Sequence, residues 1–458
     1  MSTTPLYLRL SKPAIARRLI GTLATLCVCV FAMPPLRAHA AELQPTEWTR
    51  YHVDSSNNAL IKQAGAAPVA WRSPNLAQQA YTVSVVGNRV YGDGVKGKFA
   101  AFALDRRTGK VLWNVPLDNG AMSQPLVVGN RVFIGSGNQT FFYRDGIQYF
   151  GTGSNSIYAL DAATGKVIWR LPLQGEAMPT PVYQAGVIYW VTGERRFLAI
   201  DASNGHIIWQ LALPSFMSMS SPAQYGNLLI FGGARTYNEF AVDIKTHKLA
   251  WQYKWTTWKG LPITNGVDDC PPAVAHGMVF CNGSASVDPD RHPGGVIRQF
   301  AWALDAKTGK LLWQYDQGNG RRTKFNAGGV PTAVGDVVYV EAPGSHGLDA
   351  LEQRTGRLIW KATLGATDRS GSIVDGSSLY ITDDAGTLYH FDAKTGKLLH
   401  RMKNGGGMST IGMVLAGGTL FIPTKAEVVN AIPTRSIDSA PHGDIAPFHG
   451  SLGPPPAA

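Results

Sequence analysis

The chain has 458 residues, of which 45% are hydrophobic and only 16% charged, and its net charge is +11. No Lys/Arg run or basic stripe stands out, which weighs against nucleic acid as a partner, and the positive balance suits an anionic ligand. Few carboxylates leave few native ion pairs to lose as pH falls, so the composition suits an acidic space outside the cytoplasm, although ordinary variation would give the same balance.

Residues 1–40 carry Arg9, Lys12, Arg17 and Arg18, an apolar run from Leu19 to Met33, and Ala38-His39-Ala40. A basic start, an apolar run too short for a comfortable span and a small-x-small site read as a signal peptide, with the mature chain beginning at Ala41. Cys27 and Cys29 lack the small residues that a lipoprotein site needs. The expectation is a protein exported to the periplasm or beyond, without a membrane anchor. Removing the leader takes five basic residues and no acidic one, which lowers +11 to +6.

From Ala103 onward one phrase recurs: Ala-Leu-Asp-x-x-Thr-Gly-Lys-x-x-Trp. Copies end at Trp113, Trp169, Trp209, Trp251, Trp313, Trp360 and, in decayed form, His400. Their acidic residues are Asp105, Asp161, Asp201, Asp243, Asp305, Glu352 and Asp392, spaced 56, 40, 42, 62, 47 and 40 residues apart. That period fits a propeller blade, a helical repeat or a solenoid unit. The residues inside each copy decide. Ser156 to Leu160 alternates as a strand, Gly165 supplies a turn, Lys166 to Trp169 leaves as a second strand, and hairpins such as Gln124 to Ile134 precede each copy. No helix-length stretch has a 3.6-residue apolar period.

The predicted fold is therefore all-β, a propeller of four-stranded blades. After the seventh copy, Met413 to Ile432 supplies three strands. A fourth is expected from the N-terminal segment around Glu47 to Tyr51, closing an eighth blade and leaving only short, protected edges. The domain is expected to span residues 41–437, with a flexible tail over 438–458.

The repeated Ala-x-Asp-x-x-Thr-Gly-x-x-x-Trp resembles the quinoprotein-type eight-bladed propeller superfamily over roughly residues 47–433. The resemblance implies that the repeated tryptophans stack between neighbouring blades, a packing role rather than a chemical one.

Cys270 and Cys281 survive processing and flank a hairpin bent at His276-Gly277. Export favours a disulfide between them, with a reactive thiol as the alternative. No Cys/His cluster suits zinc.

Ligands of a propeller sit at one mouth of the axial channel. Aligning the innermost strands on Val83, Pro125, Pro181, Pro222, Pro272, Pro331, Ser372 and Met413, and reading three residues upstream, gives Ala80, Met122, Met178, Met219, Asp269, Gly328, Arg369 and Thr410. Thioethers suit a soft, sulfur-containing or apolar ligand, and Arg369 an anionic end. The bland reading is that the methionines pack between blades and that Asp269 pairs with Arg369. Insertions over 138–155, 253–269 and 282–299 are long and aromatic or charged, fit either to roof the mouth or to form a homodimer.

Three functions fit the superfamily. A pyrroloquinoline-quinone alcohol dehydrogenase would show two adjacent cysteines, a calcium site and a tryptophan floor. Here Gly137-Asn138 is followed by Gln139-Thr140-Phe141, and there is no Cys-Cys pair. A scaffold resembling the propeller lipoprotein of outer-membrane assembly would be lipid-anchored and free of such insertions. The chain is most similar to tetrathionate hydrolases, which implies a small anionic sulfur substrate and no cofactor. Hydrolysis would need a proton donor for the departing sulfur anion. Asp269 is the first candidate, with Asp290 and Asp288 in reserve, while Arg369 and Arg291 would neutralise charge and Met122, Met178 and Met219 would line the pocket.

Overall fold

The structure is a computed structural model, and it describes residues 51–61, 67–122, 124–138, 140–144, 147–216, 219–233, 238–266, 270–288, 294–323, 328–368, 370–407 and 412–438. The leader, the tail beyond 438, and the expectations placed on them lie outside these residues.

Each repeated phrase folds into a turn that its own side chains hold. Asp105 Oδ1 accepts from the Thr108 amide at 2.8 Å and from its hydroxyl at 2.7 Å, while Gly109 adopts φ +72° and donates its N–H to the Asp105 carbonyl. Asp161, Asp305 and Asp392 make the same bonds to Thr164, Thr308 and Thr395. A Cβ at Gly109 would lie 2.5 Å from the Trp71 ring, so glycine serves both the left-handed turn and the close approach of a neighbouring blade's indole.

Those indoles lock the seams. Nε1 of Trp113 donates to the Ala162 carbonyl, that of Trp169 to Ala202, Trp251 to Ala306, Trp313 to Gln353 and Trp360 to Ala393. Trp209 instead stacks on His247 at 4.3 Å, the residue that takes the glycine's place at φ +59°. The packing role implied by the superfamily is what these residues perform.

The strands form an eight-bladed propeller. Blades 1 to 7 begin with innermost strands Gln78–Val86, Leu126–Val128, Val182–Gln184, Ala223–Tyr225, Ala273–Ala275, Thr332–Val334 and Ile373–Asp375. Blade 8 combines Val414–Ala416, Thr419–Pro423 and Val429–Pro433 with two N-terminal strands, Leu60–Ile61 on the inside and Trp71–Arg72 on the outside. The closing outer strand is therefore Trp71–Arg72, not the expected 47–51. Trp71 explains the difference: its Nε1 donates to the Arg106 carbonyl at 2.8 Å, so it is a further copy of the repeated tryptophan, preceded by no Ala-x-Asp phrase that would expose it as one.

Residues 51–61 run along the axis instead. His52 donates its N–H to Gln124 Oε1, Ser55 Oγ accepts from Gln224, and the Ser55 and Ser56 carbonyls accept from Val274 and Ala333. Asn57 donates to the Pro271 and Pro331 carbonyls, and Asn58 exchanges two bonds with Val374. The segment thus satisfies inner-strand groups of blades 2, 4, 5, 6 and 7 before pairing in parallel with blade 8. The N-terminal region therefore closes the ring twice, through residues 51–61 at the axis and through Trp71–Arg72 at the outer edge.

In a four-stranded antiparallel blade, the link between successive blades and the link between second and third strands emerge on one face. All three insertions and the methionines upstream of the inner strands belong to such links, so they share one mouth of the propeller.

Candidate functional site

The inner-strand register holds: six innermost strands start one residue after Pro125, Pro181, Pro222, Pro272, Pro331 and Ser372, and the strand that Leu60–Ile61 covers in blade 8 starts one residue after Met413. Met122 and Met178 are buried and meet in one apolar cluster, with Met219, Tyr81 and Phe216 packed against it. Phe150, from the first insertion, completes it. The insertion forms a hairpin, Phe141–Arg144 with Ile147–Phe150, and the Phe150 backbone bonds to Gly193 and Glu176 of blade 3. It therefore folds onto its own chain at the mouth. The second long connection does likewise: Trp258 stacks on Phe300 at 4.4 Å, and Trp255 lies 4.7 Å from Trp302.

Asp269, Arg369, Asp290, Arg291 and Thr410 lie outside the described residues. Asp288 is half-buried at the end of the second insertion's first strand, where its carbonyl accepts from Ser286 Oγ at 2.5 Å. The expected disulfide is not formed. Cys270 and Cys281 are both buried and unbridged. The hairpin register pairs Ala273 with Phe280, which sets Cys281 opposite Pro272, two residues from Cys270. A bridge needs its two Cβ atoms nearly opposed, and this register does not oppose them.

Described residues next to the candidate positions converge. A Cβ on Gly328 would lie 2.5 Å from Asn282 Oδ1 and 3.2 Å from Cys270 Sγ, and one on Gly329 would lie 2.4 Å from Glu341 Oε2. The pair of glycines thus lets the chain pass directly over buried polar groups. Beside them a narrow cleft of about 10 Å³, room for a single water, opens between blades 5 and 6, lined by Asn282, Ser284, Gln299, Gln317, Gly328 and Glu341.

The cleft has unspent hydrogen-bonding capacity. Asn282 Oδ1 and the Gln299 amide are buried and make no hydrogen bond among the described residues, and the buried Glu341 carboxyl meets only the backbone N–H groups of its own residue and of Ser372. Such groups are costly unless something satisfies them, so the cleft is suited to an ordered water or to one polar group of a ligand reaching in from the mouth. Burial, and then the negative charge of Asp368, push the Glu341 carboxyl well above the usual carboxylate range. Tyr51, at the top of the axial segment, is shifted up by burial and by the proximity of Cys270 and Glu341. Arg322, adjacent to the cleft-lining Thr323, donates to Ser286 Oγ at 3.2 Å.

Sequence reasoning missed Glu341 and Asn282, yet both carried a signal. The registers Ser84↔Tyr91, Ala273↔Phe280 and Thr332↔Tyr339 make Asp93, Asn282 and Glu341 equivalent, each two residues further along its blade's second strand. The shared signal is an acid or amide two residues after the aromatic of the second strand, at Tyr91, Phe280 and Tyr339. Asp93, fully buried, is likewise pushed up by burial.

Set against known proteins, residues 63–145, 139–261, 241–375 and 345–436 match the PQQ_2 family, described as outer membrane protein assembly factor BamB. The chain is 28% identical over 445 residues to a tetrathionate hydrolase of Acidithiobacillus ferrooxidans, covering 87% of this chain and 88% of that one. It is 26% identical over 363 residues to a tetrathionate hydrolase of Acidianus ambivalens, covering 73% and 67%. Among solved structures, quinohemoprotein alcohol dehydrogenase from Comamonas testosteroni superposes with a TM-score of 0.56 at 14% identity, covering 84% of this chain and 80% of that one. That last likeness concerns the fold alone.

Proposed function

This chain belongs to the PQQ_2 propeller family, and on that premise we propose that it is an exported hydrolase of a small anionic sulfur compound, tetrathionate in the first place. The observation that carries the reading is similarity to a tetrathionate hydrolase over 87% of this chain and 88% of that one. The described geometry supports it through the blade 5–6 cleft, whose buried acid and amides offer donors and acceptors to a single oxygen, of a water or of a ligand seated at its opening.

In this reading water attacks one sulfur of the substrate chain, a sulfur–sulfur bond breaks, and the departing sulfur takes a proton from a carboxyl group. Asp269 is the proposed donor. Its neighbour Cys270 lies under Gly328 at the cleft, in the same sector as Glu341. A carboxyl held neutral by burial is a ready acid, and Glu341 would keep the sector from repelling a dianion. Arg369 and Arg291 are proposed to neutralise the sulfonate ends. Asp288 and Asp290 are the reserve acids, and the Met122, Met178 and Met219 cluster would form the apolar wall.

The test is an absorption spectrum and metal analysis of the purified protein, followed by incubation with tetrathionate at low pH. A colourless protein that consumes tetrathionate supports the reading. A quinone chromophore with alcohol oxidation would overturn it in favour of a dehydrogenase.

A further inference from the structure

One cross-strand pair sets blade 7 apart. In seven blades an alanine of the third strand faces a tryptophan of the fourth: Ala103↔Trp113, Ala159↔Trp169, Ala199↔Trp209, Ala241↔Trp251, Ala303↔Trp313, Ala350↔Trp360 and Ala431↔Trp71. Blade 7 places His390 opposite His400. Both partners have changed, so a small–large packing pair has become two imidazoles on one face, with ring centroids 5.8 Å apart.

The seam they serve is also unlike the others. Blade 8 follows its third strand with the short helix Thr434–Asp438 instead of the Asp-x-x-Thr-Gly turn. The fourth strand of blade 7 therefore has neither an indole to donate nor the usual turn to receive it. Asp438 stands there instead, with Oδ1 at 2.9 Å from His390 Nδ1. One ligand atom from each of His390, His400 and Asp438 lies within 4.8 Å of the others.

Packing alone does not account for this arrangement. His390 is 6% exposed, and its Nε2 finds no hydrogen-bond partner among the described residues. A buried imidazole nitrogen left unsatisfied is unfavourable where the other blades carry an alanine.

We propose that His390, His400 and Asp438 bind a divalent metal ion of the zinc class, which fastens the helix Thr434–Asp438 to blade 7 in place of the missing indole lock. Two imidazoles and a carboxylate are the donor set that such ions prefer. Bonds of roughly 2.0–2.2 Å in a tetrahedral site put ligand atoms about 3.4 Å apart. The present spacings, up to 4.8 Å, require the side chains to draw together on binding. Asp438 is half-exposed, so water can complete the coordination.

The test uses the processed, untagged protein, stripped of metal and titrated with Zn²⁺ by calorimetry at pH 7, with Co²⁺ as a spectroscopic stand-in. The expected result is one ion per chain, a tetrahedral Co²⁺ spectrum and a rise in Tm on Zn²⁺ addition. The double substitution His390→Ala/His400→Trp restores the pair found in the other blades and so should fold. It should weaken binding at least 100-fold and abolish the Tm response, while Asp438→Asn should weaken binding about tenfold. Stoichiometry below one-tenth of an ion per chain, or equal affinity in the double variant, would overturn the proposal.

Discussion

The Trp71 indole donates to the Arg106 carbonyl at 2.8 Å, joining the outer strand of blade 8 to blade 1 across the point where the chain closes on itself. Because residues 51–61 also bridge the inner strands, the ring has an inner and an outer fastening. Truncating a buried tryptophan leaves a cavity and costs about 3–5 kcal/mol. Trp71→Ala should lower unfolding stability in that range in a denaturant titration. A loss under about 0.5 kcal/mol would mean that the axial segment alone closes the ring.

Stability should peak in mild acid. Burial raises the carboxyls of Asp93, Glu176 and Glu341 well above their ordinary range, and that of Glu239 to about 8. A group with a raised folded-state pKa holds its proton in the fold after the unfolded chain has lost it. Its contribution is full below about 4.5 and falls as pH rises through the folded value. At about 1.4 kcal/mol per unit, Glu239 alone gives on the order of a few kcal/mol. Asp105, Asp161, Asp305 and Asp392 oppose this at the other end, since hydrogen bonds from their turn threonines lower them and the benefit is lost only as pH falls below the usual aspartate range. Thermal unfolding from pH 3 to 9 should show Tm declining above about pH 4.5. A Tm that rises from 5 to 8 would contradict this assignment.

The unbridged cysteines predict indifference to reductant. Alkylation of the denatured, unreduced protein should label both Cys270 and Cys281 by mass spectrometry, and dithiothreitol should leave Tm unchanged. A mass two units lower with no label on either residue would restore the disulfide.

The cleft predicts a sensitive glycine. Gly328→Ala would force a methyl group toward Asn282 Oδ1 and Cys270 Sγ. Tetrathionate turnover should fall at least tenfold, with a stability loss of about 1–3 kcal/mol from overpacking. Unchanged turnover would remove the cleft from the reaction.

Most of the fold was legible because each blade repeats its turn chemistry and its tryptophan. The closing strand was not, since Trp71 carries no preceding Ala-x-Asp phrase and is recognisable only by where its indole donates. The methionines were found by register, because three residues upstream of a proline is the same place in every blade. Glu341 escaped because one acid at the end of an apolar strand is unremarkable until folding buries it. Cys270 and Cys281 misled because hairpin spacing suggests proximity, whereas a bridge depends on which residues oppose each other. His390 and His400 looked like decay of the repeat, and only the strand register shows that both members of one pair changed.

The central claim, hydrolysis of a sulfur dianion at the mouth of blades 5 and 6, is tested most directly by following tetrathionate consumption by the wild-type protein and by Asp269→Asn, side by side at acidic pH. The account predicts turnover by the wild type and a loss of at least 100-fold in a variant with unchanged Tm. A folded wild-type protein that leaves tetrathionate intact would contradict the function, and full activity in Asp269→Asn would contradict the proposed acid.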